Sequence, residues 1–270
     1  MKAKKVLFIN QEITPYVPET PMATLGRKLP QSIQDCGHEI RTFLPKWGNI
    51  NERRNQLHEV IRLSGMNIII DDTDHPLIIK VASIPVARMQ VYFIDNDDYF
   101  QKRLMAHDKE GNEYTDNAER AIFYARGVLE TVKKLRWCPD IIHCHGWITS
   151  IAPFYIKTAY KDEPTFRDAK IVFSLYNEPL KQSLPEDFKD CLQFRNANRN
   201  EIDNIGLDFN SYDDLSKLAM KYSDGVVQAE DSTNVDLLQF AKDNEKPVLD
   251  FPGIENSTSI YSNFYEEVMN

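Results

Sequence analysis

The sequence predicts an α/β fold: a single Rossmann-like, doubly wound, mainly parallel sheet with a β-hairpin excursion. Three observations predict it. Short apolar runs of strand length alternate with segments of helical period along the chain. The runs are apolar on both faces, as buried parallel strands are, rather than alternating with polar residues. The first two of them flank a helix at the spacing of a right-handed crossover.

The strand on which the chain is organised is Pro139-Asp140-Ile141-Ile142-His143-Cys144-His145-Gly146-Trp147. Side chains alternate along a strand, so His143 and His145 share one face and Cys144 takes the other. Polar residues at the carboxyl end of such a strand face the crevice where open α/β sheets bind ligands. A helix is expected over 149–157, with Thr149 as N-cap.

The remaining elements follow in order. Lys5 to Asn10 reads as a strand that ends in a proline-bearing loop, Gln11 to Thr20. Thr20-Pro21 starts a helix, with Thr20 as N-cap and Pro21 at the first helical position. Met22, Leu25, Leu29 and Ile33 form its apolar stripe, Pro30 kinks or breaks it, and Cys36-Gly37 closes it. Glu39 to Leu44 is the second strand. Val60 to Ile70, Leu77 to Val81 and Ala87 to Ile94 read as an antiparallel hairpin excursion off the main sheet, with Asp71-Asp72-Thr73-Asp74 as a solvated tip.

A polar loop spans 95–113. A helix then starts at Thr115 or Asp116, its apolar face carried by Ala121, Ile122, Ala125, Val128, Leu129, Val132 and Leu135. Ala169 to Leu175 is a strand that ends at Tyr176-Asn177-Glu178-Pro179. Leu180 to Asn210 is a long irregular excursion. The chain closes with a helix over 212–222, a strand over 225–228, a helix over 234–242, a strand over 247–249 and a helix over 260–269.

Bulk properties bound the function. The chain has 270 residues and a net charge of -9, which argues against nucleic acid or an anionic membrane surface as partner. The apolar run near Met1 is too short for a secretory leader, and no run has the length of a membrane span. The four cysteines lack a C-x-x-C spacing and read as reduced thiols of a cytoplasmic protein. Two imidazoles on one strand face make an incomplete ligand set, so neither metal nor cofactor is expected.

These segments, in this order, resemble the N-terminal catalytic lobe of bacterial glycogen and starch synthases, glycosyltransferase family 5. Four stretches carry the resemblance: Lys5 to Pro15, with its Glu-x-x-Pro loop; Leu29-Pro30 with Gly37 to Pro45; Tyr92 to Asn96 with Tyr114 to Arg120; and Pro139 to Trp147. The resemblance implies the first lobe of a two-lobed GT-B fold over 1–270, with the C-terminal nucleotide-binding lobe absent. It implies glucosyl transfer from ADP-glucose to an α-1,4-glucan, and so α-glucan or ADP-glucose as partner. It places His145 and Asp116 as catalytic candidates. Asn177, Tyr176, Trp147 and Thr20 are the substrate-binding candidates.

The departures from the family pattern point the other way. Where the family has Lys-x-Gly-Gly, this chain has Pro18-Glu19-Thr20-Pro21. The cation that would offset a diphosphate is missing, Glu19 adds a like charge, and Pro21 lacks an N–H. The family's acid after the second histidine is Gly146, and its His-Asn pair is Tyr176-Asn177. Two readings therefore stand: a glucosyltransferase lobe that needs a separate nucleotide-binding chain, or a non-catalytic lobe that binds a glucan, a nucleotide sugar or a protein. The face that the second lobe covers in the family is open to a second copy or a partner chain.

Other motifs have plainer readings. Asp95, Asp97 and Asp98 read as surface charge. Tyr16, Trp47, Tyr99, Phe100, Trp147 and Tyr155 read as a sugar-stacking platform or as core, and Cys144 reads as inert.

Overall fold

The computed structural model describes residues 3–177, 180–253 and 257–270. Glu178 and Pro179, at the end of the predicted Tyr176-Asn177 turn, lie outside the described residues.

The strands are β1 (Lys5–Asn10), β2 (Glu39–Pro45), β3 (His58–Glu59), β4 (Met66–Ile70), β5 (Thr73–Ile84), β6 (Met89–Asp95), β7 (Ile141–His145), β8 (Lys170–Leu175), β9 (Gly225–Gln228) and β10 (Val248–Leu249). They lie in the order β10-β9-β8-β7-β1-β2-β6-β5-β3, and β4 pairs with β5. Pairing is parallel from β10 through β6 and antiparallel for β5 with β6, β3 and β4. The antiparallel hairpin is thus continuous with the sheet and forms its far edge.

The helices are α1 (Pro21–Asp35), α2 (Asn117–Lys134), α3 (Ala152–Lys157), α4 (Phe188–Cys191), α5 (Arg199–Asp203), α6 (Tyr212–Lys221), α7 (Val235–Asp243) and α8 (Ser257–Met269). They form two layers. α1 and α8 pack together on the face that carries Phe8, Asn10, His143 and His145. α2, α3 and α6 form the second layer. Tyr124 of α2 donates its hydroxyl to the Asn10 carbonyl at 2.9 Å.

Local chemistry explains several boundaries. Thr20 caps α1 by accepting from the Ala23 amide at 2.9 Å, and α1 runs unbroken through Pro30. Gly37 ends it at φ +89°, in the left-handed region that favours glycine. Gly26 lets α1 lie on the β1–α1 loop, because a Cβ there would strike the Glu12 carbonyl. The expected cap at Thr149 is not formed. Trp147–Thr149 is a 3-10 turn, and the Thr149 hydroxyl donates back to the Gly146 carbonyl at 2.7 Å. α3 starts at Ala152 because Pro153 is tolerated only in a first helical turn. Two short helices, α4 and α5, lie within the excursion over 180–210.

Burial revises two further expectations. Asp95 is not surface charge: it is 1% exposed and pairs with Lys80 at 2.8 Å. Asp97 and Asp98 are exposed. The six aromatics proposed as a platform are all buried in the core. Trp47 donates its indole N–H to the Gln11 carbonyl at 2.8 Å.

Candidate functional site

A cleft of about 490 Å³ opens at the carboxyl ends of the parallel strands, between the β1–α1 loop, the loop after β6 and the ends of β7, β8 and β9. Its size is ordinary for a small-molecule site. Four of the predicted residues, Thr20, Trp147, Tyr176 and Asn177, line it. The two catalytic candidates do not. His145 lies beneath it, 2% exposed, and Asp116 lies to one side.

His145 is held by its strand. Its backbone pairs with β1, where Asn10 is its register partner, and its carbonyl accepts the Gln11 amide at 3.1 Å. The ring packs against His143, tilted by 34°, with centroids 3.9 Å apart. Nδ1 meets the Tyr176 hydroxyl at 3.3 Å, and Nε2 is buried with no protein hydrogen bond among the described residues. Burial pulls the His145 pKa from near 6.5 to about 3, so the ring is neutral. Burial, and then the neighbouring His145, hold His143 well below its ordinary value. Cys144, on the opposite face, is fully buried, and burial raises its thiol well above the usual range. It is an inert thiol.

Gly146 turns the chain at φ +86°, ψ 167°, a conformation reserved almost wholly for glycine. A Cβ there would lie 2.5 Å from Gln11 Oε1. The side chain of Gln11 fills the place in which an acidic residue would stand.

Thr20 does double duty. Besides capping α1, its hydroxyl donates to the Glu12 carboxylate. The anion beside the α1 N-terminus is therefore the chain's own Glu12. Glu19, expected to bring the like charge, does not line the cleft; it faces a separate groove with Arg27 and Lys28.

Asn177 spends its side chain as a clamp. Its Nδ2 donates to the Ser232 carbonyl at 2.6 Å and its Oδ1 accepts the Asn234 amide at 2.9 Å. Its backbone amide donates to Glu230 at 2.8 Å, which holds that carboxylate at the cleft. Tyr176 packs between Met22 and Ala229 and so bridges the two walls.

Asp116 does not cap α2. Arg103 takes both its oxygens, at 2.6 and 2.5 Å, and lies 4.2 Å over the Tyr114 ring. This bidentate bond raises the Arg103 pKa. Deeper in, Arg120 donates to the Tyr99, Leu104 and Met105 carbonyls and to Asn117 Oδ1. Burial lowers its pKa to about 9. It fixes the loop that forms one wall of the cleft.

The electrostatic character follows. Glu12, Asp108 and Glu230 line the cleft along with His107, and no Lys or Arg lines it among the described residues. Those residues also hold no group of three or more His, Cys, Asp and Glu placed to bind a metal ion. No local pattern marks Gln11, Asp108, Glu230 or Arg103 as site residues. They sit in loops whose convergence depends on strand order. A second cavity, about 810 Å³, lies at the amino end of the sheet between α1 and α8, away from these residues.

The doubly wound sheet, with a histidine-bearing strand end beneath a carboxyl-edge cleft, makes this an α/β lobe of Rossmann-like type. The fold matches the catalytic domain of starch synthase IV from Arabidopsis thaliana, determined bound to ADP and acarbose. The TM-score is 0.73 over 93% of this chain and 52% of that one, at 16% identity, so the match speaks for the fold alone. Residues 5–246 match the starch synthase catalytic domain family, and the chain belongs to that family. Among its relatives are a glycogen synthase of Pelodictyon phaeoclathratiforme, 34% identical over 73% of this chain, and one of Chlorobium luteolum, 37% identical over 67%. The chain spans 42% and 37% of those two proteins' lengths. No helix among the described residues is long and apolar enough to cross a membrane.

Proposed function

We propose that this chain is the glucan-binding lobe of a glycogen/starch synthase-type glucosyltransferase and does not transfer glucose unaided. The observation that carries the reading is the cleft lining: three carboxylates and no Lys or Arg among the described residues, above a neutral histidine. Carboxylates accept hydrogen bonds from sugar hydroxyls, so an uncharged polyol suits this lining. A sugar pyrophosphate does not suit it, because like charges near 4 Å repel by roughly 1 kcal/mol even in water-like surroundings and more where the site is drier.

In this reading His145 and Asp116 keep positions inherited from a catalytic site. His145, neutral and buried, supports the cleft floor from beneath through its contact with Tyr176. Asp116, paired with Arg103, holds the entry of α2. Tyr176, Asn177, Trp147 and Thr20 form the sugar-binding walls. Glucosyl transfer from ADP-glucose needs positive charge beside the departing diphosphate, and oriented charge of this kind is commonly the largest catalytic contribution. That charge must come from another lobe or a partner chain seated over the cleft. Without it the lobe is a non-catalytic binder. A location in the cytoplasm fits the reduced cysteines.

The test is an ADP-release assay with ADP-glucose and glycogen. The expected result is no turnover above the protein-free blank. Turnover that disappears in His145→Ala would overturn the reading.

A further inference from the structure

We infer that Tyr265 of α8 is a positioning residue for His145, acting through His143. The inference rests on the sugar-binding role proposed for the cleft, and it concerns a helix that lies beyond residue 246, where the family match ends.

The geometry is a chain of three rings from α8 to the cleft floor, with Tyr265 edge-on to His143 at 5.6 Å between centroids and His143 tilted against His145. The Tyr265 hydroxyl is 2.6 Å from His143 Nδ1, and the Ser174 hydroxyl is 2.8 Å from His143 Nε2. An imidazole bonded at both nitrogens has a fixed ring plane and a fixed tautomer. The neutral ring carries one N–H. If Tyr265 donates to Nδ1, then Nε2–H donates to Ser174; if Nδ1–H donates to Tyr265, then Ser174 donates to Nε2.

His145 lacks such anchors. It has the 3.3 Å contact to Tyr176, and its Nε2 has no protein partner among the described residues. Its plane is set by packing against His143 at 3.9 Å, tilted by 34°, and by Phe8 at 6.5 Å. The orientation of the uncommitted nitrogen below the cleft therefore follows His143, and His143 follows α8.

α8 is built to hold this contact. Tyr261, Phe264, Tyr265 and Val268 are all buried against the sheet. Gly225 on β9 lets the helix come close, because a Cβ there would lie 2.6 Å from Val268 Cγ2. Tyr261 also faces His143, with ring centroids 5.7 Å apart, but no hydrogen bond joins them. Removing a single hydroxyl from α8 separates a positioning role from helix packing.

The experiment is imidazole ¹H–¹⁵N correlation spectroscopy and maltoheptaose titration on the wild type, Tyr265→Phe and Tyr261→Phe. Tyr265→Phe is expected to move the ring-nitrogen shifts of both His143 and His145 and to weaken maltoheptaose binding about tenfold, with unchanged circular dichroism. Tyr261→Phe is expected to do neither. Ser174→Ala frees the other nitrogen of His143. It moves the His145 shifts if His143 is the intermediary, and it keeps the test decisive should Tyr265→Phe fold poorly. His145 shifts that stay at the wild-type values in Tyr265→Phe, or in Ser174→Ala, overturn the inference. A wild type that binds no maltoheptaose overturns the proposed function instead, and the ring-nitrogen response then decides this inference alone.

Discussion

His145 and Asp116, the two side chains that the sequence marks for chemistry, stand in opposite surroundings. His145 is buried under the cleft, neutral, and has a nitrogen without a protein partner among the described residues. Asp116 is about a quarter exposed, and Arg103 occupies both its oxygens. Burial removes the charge from one and leaves it hydrogen-bonding capacity. The other spends its hydrogen-bonding capacity on a salt bridge. Neither side chain lines the cleft: the imidazole lies buried beneath it, and the carboxylate is committed to Arg103. That difference fits the binding role proposed for the cleft.

Arg120 supports the α2 side, and its removal has the largest expected effect. Arg120→Ala leaves three carbonyls and Asn117 Oδ1 without their donor. The expected loss is roughly 3 kcal/mol or more, read by urea denaturation, since each buried group left unpaired costs about 1–3 kcal/mol. The His145 side should keep its imidazole shifts up to the unfolding transition.

Next in size is an attempt to restore the missing acid. Gly146→Asp meets both the φ of +86° and the Gln11 side chain. It should destabilise by roughly 1–3 kcal/mol and confer no ADP release. Adding Gln11→Ala should recover part of the stability by removing the clash, but not the part due to backbone strain. A Gly146→Asp variant as stable as the wild type would show that the turn is not reserved for glycine.

The third prediction concerns pH. His143 and His145 both have folded-state pKa values below their ordinary value near 6.5. Between that value and about 3 for His145, the unfolded chain binds more protons than the folded one. Stability is therefore fully present above about pH 6.5 and is lost as pH falls below it. The slope is roughly 1 kcal/mol per pH unit for each histidine. Melting temperatures between pH 7.5 and 5 should fall steeply, and His143→Gln should take away about half of the fall.

The smallest effect belongs to Arg103. Arg103→Lys breaks the bidentate geometry with Asp116 in a partly exposed pair, and its cost is about 1 kcal/mol or less in thermal denaturation.

The sequence carried the fold further than the site. The strand-helix alternation, the Thr20 cap, the Gly37 stop and the face shared by His143 and His145 all rest on local rules of spacing and backbone freedom. The resemblance to the synthase family, not those rules, singled out Thr20, Trp147, Tyr176 and Asn177, which line the cleft at the carboxyl edge of the sheet. The local rules failed where a contact is made at long range. Asp95 looked like surface charge because nothing nearby in sequence signals its partner Lys80 across the hairpin. Asp116 is marked for catalysis because nothing in the sequence signals Arg103, which folds back onto it from a loop without periodicity. Glu19 looked like the like charge in the cleft, whereas Glu12, hydrogen-bonded by Thr20, takes that place. Tyr265 is 122 residues from His143, and no pattern links them.

The most direct measurement is a pair of calorimetric titrations of the unmodified chain, one with maltoheptaose and one with ADP-glucose. An acidic cleft over a neutral histidine predicts saturable heat with the glucan and none with the nucleotide sugar. Tight binding of ADP-glucose by the chain alone would contradict the account.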